Sequence, residues 1–389
     1  MQFIKRIDLS LFIAVILFVI FGVVMVYSAS FPYAALRFEN PEYYLYRQLF
    51  WAGIGFILML IAIVIPYKAY GKLSAIFTLA TILLLILVLV PHIGVERNFS
   101  QRWISLGGIL LQPVEFTKLS MLIYFAYFYS RKEDQFDNFK NSVLPPLIMI
   151  AIVFGLLLAQ PDLGSATLIL FSCCLILFFT EIRLHHLLLL IGGAVVSFAA
   201  FAIMSPYRLQ RITSFLDPFA DIQGAGYQLI NSYISIHSGG LTGLGLGQSI
   251  QKLGYLPEAH TDFIMSIITE ELGFIGVLLV ISFYLFFFIK GLLISKRAPN
   301  SFGRLLAIGI TLQIIMQMFI NLGAILGLLP ITGITLPFIS YGGSSLLISM
   351  ISVGILLNIS SWSKQESTQQ VTNSGQRLFK GERSMISPY

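Results

Sequence analysis

Long apolar runs follow one another from Leu9 to Ser361, most of them close to the length of a membrane crossing and each ended by a short polar break. A helix needs about 20 apolar residues to cross roughly 30 Å of hydrocarbon while satisfying its own backbone hydrogen bonds. Ten segments qualify: residues 10–29, 48–66, 73–91, 114–130, 142–160, 165–180, 185–204, 263–289, 304–328 and 342–361. The pattern predicts an all-α polytopic membrane protein of about ten transmembrane helices. Residues 1–361 make one membrane domain on this reading. Residues 362–389 are polar and poor in aromatics, the composition of a disordered tail. The run from Leu11 to Ser28 follows Lys5 and Arg6 as a signal peptide's core would, but it is longer than such a core and is one of many. It is expected to stay in the mature protein.

Composition agrees with lipid as the solvent. Hydrophobic residues make up 57% of the 389 and charged residues only 11%, against about 25% charged in soluble domains. The net charge of +6 does not point to nucleic acid, because basic residues in a membrane protein set its orientation. Cys173 and Cys174 are adjacent within an apolar run, where neither a mutual disulfide nor metal-ligand spacing is expected, so they read as inert packing residues.

With ten spans both termini share a side. Most of the 24 lysines and arginines fall on that side, among them Lys5, Arg6, Lys68, Lys72, Arg131, Lys132, Arg297 and Arg304. Arg37, Arg47, Arg97, Arg102, Arg208, Arg211 and Lys252 fall on the other. The positive-inside rule therefore places both termini in the cytoplasm. Residues 92–113, 205–262 and 329–341 become the outward surface. The long, glycine-rich loop 205–262, between the seventh and eighth spans, has the length of a loop with a task.

Four clusters on that outward side carry candidate chemistry. In the first, Gln101-Arg102-Trp103-Ile104 precedes Gln112-Pro113-Val114-Glu115-Phe116-Thr117-Lys118. Glu115 and Lys118, three apart, can pair with each other. Arg102 beside Trp103 can anchor at the interface, or can aim a guanidinium at phosphate. The second, Gln160-Pro161-Asp162-Leu163-Gly164, is a tight turn in which Asp162 can be a plain helix cap. The third runs from Gly239 to Gln248 and on through Leu256-Pro257-Glu258-Ala259-His260-Thr261-Asp262-Phe263. Its glycines allow exposed amides to meet phosphate or sugar oxygens. Asp262, where loop meets helix, is either a cap or a carboxylate shifted by burial and by Glu258, His260 and Glu271 toward a general base. The fourth is Asn321 followed by residues 329–345, whose prolines and glycines break the helical pattern at the membrane surface.

These clusters, in this order, resemble the SEDS family of peptidoglycan polymerases. The likeness rests on QRWI with its QPxE and lysine element, the QPDLG turn, GxGxGQS, LPEAHTDFI, EELGFIG from Glu270 to Gly276, and LPITGITLPFISYGGSS. LPEAHTDF and TGITLPFISYGGSS lie closer to the FtsW branch than to the RodA branch. The stretch Ile93–Ser100 departs from the usual FtsW wording, which keeps an elongation role open, and Val114 and Phe116 replace the commoner residues of the QPSEL element.

The resemblance implies an inverting glycosyltransferase that polymerises lipid II into β-1,4 glycan at the outer face of the inner membrane, for division at the septum or, alternatively, for elongation. It implies a catalytic role for Asp262 and substrate-binding roles for Arg102, Trp103, Glu115, Lys118, Asp162, His260 and Ser344. Expected partners are lipid II, undecaprenyl-pyrophosphate-linked glycan, a class B penicillin-binding protein and other divisome membrane proteins. A divalent cation such as Mg or Mn can assist, although no carboxylate spacing demands one. A lipid II flippase and a non-catalytic scaffold are the rival readings.

Overall fold

The computed structural model describes residues 7–97, 100–107, 109–132, 139–180, 192–193, 215–224 and 226–363. The expected seventh span (185–204), Arg208, Arg211 and most of the expected tail (362–389) lie outside the described residues. Each of the other nine expected spans coincides with a helix: α1 (Leu9–Phe38), α2 (Tyr43–Val64), α4 (Ser74–Leu89), α5 (Pro113–Ser130), α7 (Leu144–Ala159), α8 (Leu163–Leu177), α10 (Ile264–Lys296), α11 (Ser301–Ile325) and α12 (Gly343–Ser363). Shorter helices among the described residues are α3 (Tyr67–Lys72), α6 (Phe139–Ser142) and α9 (Tyr227–Gly239). By length and composition α1, α2, α10, α11 and α12 are long and apolar enough to cross a membrane, whereas α4, α7 and α8 are shorter apolar helices.

α1 runs well past its expected end. It continues through Pro32 to Phe38 and stops where Glu39 turns left-handed at φ 54°. Its start is fixed by Asp8, whose Oδ1 accepts the amide of Leu11 at 3.1 Å and whose Oδ2 lies 3.0 Å from Lys290 Nζ on α10. Helices α11 and α12 form the core, with 72% of each apolar stretch buried, against 28% for α2 and α10. The outward faces of the peripheral helices carry large exposed apolar residues such as Ile76, Leu79 and Leu83 on α4, the surface that hydrocarbon solvates.

Close helix approach comes from small residues. A Cβ on Gly354 of α12 would lie 2.6 Å from the carbonyl oxygen of Met59, and one on Gly291 of α10 would lie 2.1 Å from Thr311 Oγ1. Breaks between helices are repaired by buried amides. Where α2 gives way to α3, Asn358 of α12 donates to the Ile63 carbonyl at 2.6 Å and accepts from the Tyr67 amide at 2.9 Å. Without such partners the freed backbone groups would be unsatisfied away from water.

Among the described residues one element departs from the all-helical expectation. Between α4 and α5 the chain makes a three-stranded antiparallel sheet, β1 (Gly94–Arg97), β2 (Ser100–Leu106) and β3 (Ile109–Leu111), in the order β1-β2-β3. Ile104 pairs with both Gly94 and Leu111, and Trp103 with Val95. The Gly107-Gly108 pair between β2 and β3 is the sequence signal for this hairpin.

Candidate functional site

The four sequence clusters meet at one end of the bundle, where α10 is broken. The backbone of α10 leaves helical geometry at Gly273 (φ 62°, ψ −157°), which separates a short piece, residues 264–272, from the long remainder. The freed groups are taken up by the glycine-rich loop. Leu244 and Gly245 donate to the carbonyls of Glu270 and Glu271 at 2.9 and 3.0 Å, and the amide of Phe274 bonds the Gly240 carbonyl at 3.0 Å. The backbones touch: a Cβ on Gly243 would lie 2.2 Å from the Glu271 oxygen, and one on Gly273 would lie 2.4 Å from the Gly243 nitrogen. The amides of Gly243, Leu244 and Gly245 are thus spent inside the protein, which corrects their reading as open cradles for phosphate or sugar.

Asp262 stands at the head of the short piece and is half-buried. The residue in the cap position of α10 is Phe263, directly after Asp262. Asn321 of α11 donates to the Asp262 carbonyl and to the Ile334 carbonyl, both at 2.8 Å. This joins the 256–263 turn to the irregular segment 329–342. Asp262 Oδ2 looks toward Gly333, where a Cβ would come within 3.4 Å. Gly333 follows Thr332, whose carbonyl oxygen would lie 2.7 Å from a Cβ on Gly164. In this way the QPDLG turn is brought beside the segment that faces Asp262.

In that turn Asp162 Oδ1 caps α8 by accepting the Ser165 amide at 3.2 Å, and it also lies 3.8 Å from Arg102 Nη1. Arg102, on β2, donates to the Pro161 carbonyl as well. The capping reading of Asp162 therefore holds, and the same carboxylate faces the Arg102 guanidinium. Asp162 Oδ2 and Arg102 Nε are buried and have no hydrogen-bond partner among the described residues, although buried polar atoms normally find one. Trp103 is half-buried on the same strand.

Glu115 and Lys118 pair with each other at 2.7 Å, and both are buried in the first turns of α5. Lys118 is committed to that pair, the structural alternative open to the sequence. The head of α5 is tied to the fourth cluster, because the Gln112 amide donates to Ser344 Oγ at 3.0 Å.

His260 is buried among tyrosines, its ring 4.4 Å from Tyr44, 5.6 Å from Tyr33 and 5.8 Å from Tyr341. Burial pushes its pKa down to about 4, against a smaller upward pull from Glu258. The ring is therefore neutral at neutral pH.

Glu271, expected near Asp262, sits elsewhere. Its Oε1 lies 2.6 Å from Lys252 Nζ, and Ser28 Oγ of α1 approaches its two oxygens at 2.8 and 2.6 Å. Glu270 accepts from Ser249 Oγ at 2.5 Å and from the Ile250 amide at 2.9 Å. Lys252, read as a loop charge, is buried. Nothing in the local sequence of Ser28 or Lys252 marks these roles. Among the described residues no group of three or more His, Cys, Asp and Glu side chains is placed to hold a metal ion. A cavity lined by Tyr124, Tyr127, Phe128 and Arg131 lies between the opposite ends of α4 and α5 and contains none of these site residues.

Fold and site together define a polytopic helical membrane protein whose polar residues converge around a broken helix at one end of the bundle. Residues 8–365 match the family model of the FtsW, RodA and SpoVE proteins, described as cell cycle proteins, and the chain belongs to that family. It is 41% identical over 357 residues to the stage V sporulation protein E of Bacillus subtilis, covering 92% of this chain and 98% of that one. It is 44% identical over 381 residues to a probable peptidoglycan glycosyltransferase FtsW of the same organism, covering 93% of each. Among solved structures, a chain of a peptidoglycan synthase complex that coordinates polymerisation and crosslinking superposes with a TM-score of 0.75 at 28% identity, covering 92% of this chain and 99% of that one. The rod shape determining protein RodA of Thermus thermophilus gives 0.67 at 28% identity, covering 91% and 96%.

Proposed function

We propose that this chain is a lipid II polymerase, a peptidoglycan glycosyltransferase in which Asp262 is the general base. Family membership and relatives named as peptidoglycan glycosyltransferases support the reaction class. The observation that carries the assignment of the base is the setting of Asp262: a half-buried carboxylate on a backbone held by Asn321, facing Gly333, with the Arg102–Asp162 pair on the adjoining turn.

The growing glycan, held by its undecaprenyl diphosphate, is the donor, and the 4-hydroxyl of the next lipid II's N-acetylglucosamine is the acceptor. Asp262 takes the hydroxyl proton as the oxygen attacks the anomeric carbon. The new β-1,4 bond forms as the bond from that carbon to the diphosphate oxygen breaks, with inversion, and undecaprenyl diphosphate leaves. Arg102, whose side chain stays partly exposed beside the 160–162 turn, stabilises the charge that develops on the leaving diphosphate. Prenyl tails lie against the apolar helix faces, which accounts for an enzyme built almost wholly of membrane helices.

The distribution of lysine and arginine supports cytoplasmic termini, and the site end then works in the outer leaflet of the cytoplasmic membrane. Relatives named FtsW support a septal role, and the neighbour drawn from a synthase complex supports action beside a class B penicillin-binding protein.

The test is polymerisation of purified lipid II in liposomes, with the cognate class B penicillin-binding protein present, comparing the native chain with Asp262→Asn. The expected loss is on the order of 10²- to 10⁴-fold, the range supplied by a general base. Native-like polymerisation by a folded variant overturns the assignment. Lipid scrambling without polymer, from the native chain, favours a transporter instead.

A further inference from the structure

The proposed base stands in the turn that leads into a helical piece, which the rest of α10 does not hold. The break at Gly273 removes the ordinary means by which a long helix transmits its orientation, so residues 264–272 must be fixed by their own contacts. Apolar packing of Ile264, Met265, Ile267 and Ile268 in the core supplies part of this, and polar contacts at the head include the bond from Asn321 to the Asp262 carbonyl and the contact of Ser266 Oγ with Ser232 Oγ at 2.8 Å. At the tail they are Glu270 and Glu271, exposed by only 1% and 0%. Glu270 holds the loop at Ser249 and Ile250. Glu271 meets Lys252 of that loop at 2.6 Å and Ser28 of α1, and Lys252 Nζ also reaches Ser28 Oγ at 3.2 Å. A buried carboxylate is tolerated only when it is paired and fully bonded, and a pair so satisfied has one geometry.

Resting on the assignment of Asp262 as the base, we propose that Glu271 and Lys252, bridged by Ser28, are positioning residues that orient the piece into which the Asp262 turn leads and thereby set turnover. The lever is mechanical. Ile264, where the turn carrying Asp262 enters the helix, lies seven residues before Glu271, about 10 Å along a helix at 1.5 Å per residue, so a tilt of roughly 10° at the tail displaces the head by about 2 Å. Misplacement of a catalytic group by about 1 Å can cost on the order of 100-fold. The pair itself touches no substrate in this arrangement, so its loss acts on kcat and leaves substrate affinity nearly unchanged.

The experiment measures initial polymerisation rates against lipid II concentration for full-length Lys252→Met, Glu271→Gln, Ser28→Ala, Lys252→Arg and the charge swap Lys252→Glu with Glu271→Lys. Thermal melting and gel filtration in detergent accompany each variant. Lys252→Met and Glu271→Gln are expected to lose kcat on the order of 100-fold with KM within about twofold. Ser28→Ala, which removes one hydroxyl, should lose about tenfold or less at native melting temperature, and the swap should recover at least about tenfold over either single variant. Native kcat in either single variant, a loss shared between KM and kcat, or a loss that follows melting temperature with no recovery in the swap overturns the proposal. Asp262→Asn is run beside them: native activity there defeats the base, whereas an inactive Asp262→Asn with fully active pair variants defeats only the positioning role.

Discussion

Asn321 and Asp262 are joined through one side-chain amide: Nδ2 gives one hydrogen to the Asp262 carbonyl and the other to Ile334, each at 2.8 Å. The bond ties the turn that carries the carboxylate to the irregular segment that faces it. Replacing Asn321 by Leu removes both of these hydrogen bonds, at about 1 kcal/mol each. The variant is expected to melt several degrees lower in detergent and to polymerise more slowly. Native melting would show that the two loops are held by other contacts.

The Arg102–Asp162 pair separates a structural role from a functional one. Asn is as good a helix cap as Asp, so Asp162→Asn should keep α8 capped while discharging its partnership with Arg102. Melting should move little while polymerisation falls on the order of 10- to 100-fold. Asp162→Ala should lose activity and, in addition, about 1 kcal/mol of stability with the cap. Equal melting of the Asn and Ala variants would count against the cap.

At the break in α10, Gly273→Ala must place a methyl 2.4 Å from the Gly243 nitrogen at a positive φ. Strain and overpacking each cost about 1–3 kcal/mol, so this variant should be severely destabilised or fail to accumulate. Gly247→Ala also has a positive φ (82°) but meets open space, and should cost only about 1 kcal/mol. Urea or thermal unfolding of the two in the same detergent checks the difference.

Buried His260 gives stability a definite pH slope. Its folded pKa, pushed down to about 4, lies below the unfolded value of about 6.5, so between them the unfolded chain binds the extra proton. Its contribution is complete above pH 6.5, is lost progressively as pH falls toward 4, and is on the order of 3 kcal/mol in all. The Asn variant at this position should show a flatter melting profile from pH 7 to pH 4.5. An unchanged slope would remove His260 as its cause.

Much of the site was legible where the chemistry is local. The three-residue spacing of Glu115 and Lys118 is enough to make them pair, and an Asp before a helix start is enough to make a cap of Asp162. The hairpin around Arg102 and Trp103 was announced by Gly107-Gly108 but masked by the surrounding apolar runs. The glycine run looked like a ligand cradle because glycine permits close approach; what approaches it is the chain's own backbone at the α10 break.

Sequence alone settled the solvent, the positions of the membrane helices among the described residues and the family, because hydrocarbon imposes a fixed length on any helix that crosses it and because the motifs stand in a fixed order. Which charges remain available was a matter for the folded chain. Lys252 and Glu271 are 19 residues apart and Ser28 is 243 residues from Glu271, yet they share one buried cluster, while Asp262, nine residues from Glu271, faces a different loop. A buried charge takes its meaning from the partners that offset its desolvation, and in a bundle of broken helices those partners come from segments that no local spacing connects.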